Sequence, residues 1–90
     1  MRIQPTLKTA FLPITLLTKA KHDNPIVFVE CDNYYLVPIE DVLKLPDAIK
    51  KMFKLHVNYN MGFFRKFMFD SLLKRTVDSG NRVAIVTQLN

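Results

Sequence analysis

The stretch Asp47–Arg75, DAIKKMFKLHVNYNMGFFRKFMFDSLLKR, constrains this chain more than any other. It gathers three of the four Met, five of the seven Phe and seven of the thirteen Lys and Arg, so core-forming and basic chemistry share one place. Asn58-Tyr59-Asn60 interrupts it, and the two halves read as helices. In the first half, Leu45, Ala48, Ile49, Met52, Phe53, Leu55 and His56 fall on one helical face, with Asp47, Lys50, Lys51 and Lys54 opposite. Pro46 suits the first position of that helix, where no N–H is needed. The second half, about Met61–Arg75, places Phe64, Phe67, Met68, Ser71 and Leu72 in one apolar stripe, while Phe63, Phe69 and Leu73 fall largely outside it. A helix apolar on most sides must be buried on most sides.

Upstream, Ile26-Val27-Phe28-Val29-Glu30 is β-branched and aromatic, the composition of a strand. Asp32-Asn33 tolerates positive φ, so Tyr34–Val37 is expected to return as a hairpin partner ended by Pro38. Glu40 and Asp41 suit the first turn of a short helical piece. Ile14–Ala20 alternates in the manner of a strand and runs into the turn residues His22-Asp23-Asn24-Pro25. Met1–Thr9 has too little pattern to assign, and Pro5 and Pro13 discourage a continuous helix. After the turn Asp78–Asn81, Arg82–Leu89 reads as a closing strand, interior to a sheet or paired at an interface.

The order β-β-β-α-α-β implies an α+β domain over residues 1–90: a small, mainly antiparallel sheet with two helices packed on one face. Ile49, Met52, Phe53, Phe64, Phe67, Leu72, Val27 and Val29 are the expected core. Ninety residues bury a small share of their surface, which a second copy or a place in a longer protein would improve. The chain is 49% hydrophobic and has no low-complexity run, the composition of a folded protein. No apolar run reaches the length of a membrane span. The first 22 residues lack acids, and Ala10–Leu17 has the look of a short leader core, but Lys19 and Lys21 follow it directly. A segment belonging to the fold is the better expectation. The single Cys31 points to an intracellular, reducing compartment.

Catalytic options are few. His22 reads as a solvated turn residue, His56 as a half-buried imidazole bonded to a neighbour, and Cys31 as a small, partly buried hydrophobe. No metal-ligand spacing, phosphate-cradling loop or nucleophile elbow occurs, so neither enzyme activity nor a metal or cofactor is expected. Two binding readings stay open. Phe63, Phe69 and Leu73, left over by the second helix, form a candidate self-association patch for a homodimer. Alternatively Lys44, Lys50, Lys51 and Lys54, extended by Arg65 and Lys66, form a basic face for nucleic acid, with an acidic protein as another partner for a net charge of +5. Tyr34 or Tyr35, but not both, can join a stacking platform of the kind used by sheet-based RNA binders, since adjacent strand residues point to opposite faces.

Overall fold

The β-branched run Ile26–Val29 is buried throughout. The computed structural model describes residues 14–87. Strands β1 (Ile26–Cys31) and β2 (Tyr34–Pro38) form the expected hairpin, with Val29 opposite Leu36 and Cys31 opposite Tyr34. Asp32 takes φ 53° in the turn, a left-handed conformation that Asp tolerates better than most residues. Ahead of the hairpin, residues 14–21 are helical (α1). After it come two short helices, α2 (Ile39–Leu43) and α3 (Asp47–Lys50), each entered from a proline. Then follow β3 (Lys54–His56), a 3-10 turn at Val57–Tyr59, β4 (Met61–Arg65), a second 3-10 turn at Lys66–Met68, α4 (Phe69–Asp78) and β5 (Val83–Val86).

Among the described residues five strands make one sheet in the order β3-β4-β2-β1-β5. Every neighbouring pair is antiparallel except β1 and β5, which run parallel. The fold is therefore α+β with a mostly antiparallel sheet. No helix among the described residues is long and apolar enough to cross a membrane.

Both faces of the sheet are covered. Ile26, Phe28, Tyr35, Val37 and Phe64 point to one face and pack with Val42, Leu45, Ile49, Phe53 and Leu72 from α2, α3, α4 and their connections. Val27, Val29, Cys31, Leu36 and Met61 point to the other, where Ile14 of α1 packs on them. The aromatic rings interlock on the first face: Phe28 meets Phe64 edge-on at 5.6 Å, and Tyr35 stacks on Phe69 at 4.3 Å. Gly62 sits where α2 crosses the sheet. A Cβ there would lie 2.9 Å from Val42 Cγ2 and 3.3 Å from Leu55 Cδ2, so only glycine lets α2 approach this closely.

The element order departs from the sequence reading at three places. Ile14–Ala20 is helical rather than extended: buried Thr15 and Lys19 and partly buried Ile14 and Thr18 recur at helical spacing, while Leu16 and Leu17 face out. The first helix of the long stretch ends at Lys50, and Lys54–His56 is instead a strand laid against β4. The second helix begins only at Phe69. Met61–Arg65 is a strand whose apolar residues serve both faces, a run with no period of its own. The core reading holds for Ile49, Phe53, Phe64, Leu72, Val27 and Val29, which are buried, although the two valines lie on the opposite face from the rest. Met52 is only partly buried, and Phe67 is 82% exposed, because a 3-10 turn rather than a helix carries it away from the sheet. Among the described residues the closing strand occupies an edge and not the interior. The readings of Met1–Thr9 and Pro13 lie outside the described residues, as does the end of Arg82–Leu89.

Candidate functional site

A sheet of five strands has two edges, and here they differ. β3 is three residues long and carries Lys54 and His56; short, charged strands resist pairing with another chain. β5, Val83-Ala84-Ile85-Val86, has neither charge nor proline. Its Ile26 neighbour donates its N–H to the Arg82 carbonyl at 2.9 Å, and Val27 stands opposite Ala84. Alternation along the strand therefore leaves the N–H and C=O of Val83 and Ile85 on the side away from β1. Along this edge runs a groove of about 830 Å³, flanked by Leu73 and Val77 of α4 on one side and by Thr18 and His22 on the other. Ile85 is 46% exposed and Val77 half-exposed, so the rim is apolar on the α4 side.

The three residues read as a self-association patch do not share a surface. Phe63 lies in β4, edge-on to Tyr34 at 5.8 Å. Phe69 is held in the core by Tyr35 and Phe28. Only Leu73 reaches the β5 groove. Each is partly buried, because the stretch whose spacing suggests one helix is a strand, a turn and a helix.

The cations are likewise divided. Lys50 is ion-paired with Asp47 at 3.2 Å, and Lys44 lies 3.7 Å from the buried Asp41. Lys51 is exposed at the end of α3. Lys54 and Arg65 flank a recess beside β4, and Lys66 binds Glu30 at 2.6 Å. That hydrogen bond raises the Lys66 ammonium above its ordinary pKa.

His56 is exposed rather than half-buried, and stacks flat on Tyr59 at 4.3 Å. Cys31 is buried, and burial first, with help from Asp32 and against Lys66, pushes its thiol pKa up. A thiol held protonated is a poor nucleophile. Among the described residues no three His, Cys, Asp or Glu side chains come together to hold a metal. Of Tyr34 and Tyr35, Tyr35 is in the core and Tyr34 faces the other side, as strand alternation requires.

The polar group that sequence reasoning missed is Asp41. Fully buried, it accepts from Lys19 Nζ at 2.6 Å and from the Val27 N–H at 3.2 Å. Lys19 also donates to the Pro25 carbonyl at 2.9 Å. Nothing local marks a pair 22 residues apart.

No family model, no curated protein and no solved structure matches this chain.

Proposed function

We propose that this chain is a non-enzymatic interaction module that forms a homodimer through the open edge of β5. The observation that carries the reading is the contrast between the sheet's two edges: β3 is short and charged, β5 apolar with its backbone groups turned outward. An unprotected edge of this kind is a template for another strand. A second copy supplies the matching partner, since two β5 strands running antiparallel about a twofold axis present the same patch to each other. Half-exposed Val77 and Ile85, with partly buried Leu73, then become buried on both copies, each adding roughly 1–3 kcal/mol towards association before its entropic cost. Buried, unpaired Cys31 suits a reducing, intracellular setting.

Light scattering across concentration tests this reading. The wild type is expected at twice the monomer mass at micromolar concentration. Ile85→Pro deletes an N–H that points away from β1 and leaves the β1 ladder whole, so it should give a folded monomer. Val77→Glu should act in the same direction. A wild type that stays monomeric at high concentration removes the proposal.

A further inference from the structure

Phe67 is the most exposed large apolar side chain among the described residues. It is placed by the turn Lys66–Met68, which leaves β4 just where β3 has run out: Lys54, the first residue of β3, pairs with Phe63, and Phe64 and Arg65 have no strand beyond them. The missing neighbour leaves a recess of about 400 Å³, a size typical of small-ligand sites. Phe67 forms part of its wall, with Tyr34 and Phe63 among its other aromatics. The Arg65 guanidinium lies 5.6 Å from the centroid of the Tyr34 ring. Lys54 and Arg65 are the charged residues of the lining, and neither has an acidic partner among the described residues. Lys50, Lys66, Lys74 and Arg82, by contrast, each hold a carboxylate.

An open aromatic face beside two uncompensated cations is complementary to a ligand that is planar and anionic in alternation. We infer that this recess binds single-stranded nucleic acid, with a base stacked on Phe67 and the neighbouring phosphates held by Lys54 and Arg65. Stacking accepts any base, and no Asn or Gln of the described residues, the types that commonly read base edges, lines the recess, so binding should tolerate sequence. A duplex keeps its bases paired and offers no free face to Phe67. The site lies at the β3–β4 end of the sheet, away from β5, and does not depend on pairing there.

Fluorescence anisotropy with labelled mixed-sequence RNA and DNA strands of about 12 nucleotides, and with the corresponding duplex, tests the inference. Both single strands should bind more tightly than the duplex. Equal affinity for them assigns recognition to base and phosphate alone, and a preference for RNA adds the 2′-hydroxyl. Phe67→Ala should weaken binding about tenfold with an unchanged melting temperature. Lys54→Gln with Arg65→Gln should lower the slope of log affinity against log salt by about 1.4, or about 0.7 for each phosphate no longer neutralised. Absence of saturable binding to either strand, tighter binding to the duplex, equal binding to polyglutamate, or affinity indifferent to Phe67→Ala would each overturn it. Unfolding of Phe67→Ala would do the same, since a ring packed in the core is not a stacking surface.

Discussion

Lys19 Nζ sits 2.6 Å from Asp41 Oδ1 with the two side chains 9% and 0% exposed, and this contact fastens α1 to the start of α2. The second carboxylate oxygen takes the Val27 N–H, which lies beyond the last β1–β2 pair, Val29 with Leu36. One aspartate thus joins α1, α2 and β1.

Removing half of such a pair strands a buried charge. Asp41→Ala is expected to cost about 3–5 kcal/mol, because it leaves the Lys19 ammonium without a counter-charge, held by the Pro25 carbonyl, and takes away the acceptor of the Val27 N–H. Lys19→Met should cost less, since Asp41 keeps the Val27 N–H and has Lys44 nearby. Urea denaturation of both single variants and the double variant measures the coupling. Additive losses would show that the pair does not act as a unit.

At Gly62 the close approach of α2 makes a different prediction. Gly62→Ala should destabilise by about 1–3 kcal/mol through overlap with Val42 Cγ2. In a Val42→Ala background the same change should cost markedly less, because the clashing methyl is gone. Equal costs in the two backgrounds would place the strain elsewhere.

The turns were legible and the long stretch was not, for physical reasons. Asp23, Asn24, Asp32, Asn60 and Gly80 all adopt positive φ, and residue types that tolerate it announce themselves locally. The β1–β2 hairpin follows from composition and one such turn. By contrast, α1 buries Thr15 and Lys19 and exposes Leu16 and Leu17, so hydropathy pointed the wrong way until Asp41 explained the lysine. β3 is exposed throughout and exists only because β4 lies beside it. The apolar run Met61–Phe64 is buried on both faces and therefore carries no period to read. The candidate sites inherit these limits: that β5 ends at an edge is a matter of topology, and Phe67 could not be told from a core residue while its stretch read as a helix.

Alkaline pH should destabilise the fold. Burial raises the Cys31 thiol pKa above its ordinary 9.0 and the Tyr35 phenol above 10.0, and the bond to Glu30 raises Lys66 above 10.5. All three groups hold their protons more tightly folded than unfolded. Their contribution is complete below pH 9.0 and falls as pH rises through each group's folded value, since the unfolded chain releases protons first. Urea midpoints between about pH 8 and about pH 11 should decline from the lower end, and Cys31→Ala should delay the onset towards the Tyr35 range. A thiol reagent should modify Cys31 slowly in the native state and rapidly in urea. A flat stability profile with ordinary native reactivity would contradict the burial of this group.

Phe64 and Phe67 stand three residues apart and belong on one stripe of a helix, yet the structure separates them completely. Phe64 is buried, meeting Phe28 at 5.6 Å and Phe53 at 5.3 Å, while Phe67 is left in solvent by the turn that follows β4. Removing a ring from a packed site forfeits its transfer free energy and leaves a cavity; removing an exposed ring does neither. Phe64→Ala should therefore cost about 3–5 kcal/mol, and Phe67→Ala should stay within about 0.5 kcal/mol of wild type. The difference between the two denaturation midpoints is the measurement. Were Phe67→Ala to cost as much as Phe64→Ala, Met61–Arg75 would have to be the continuous helix that its spacing suggests. β4, the recess beside it and the stacking surface would then all be lost together.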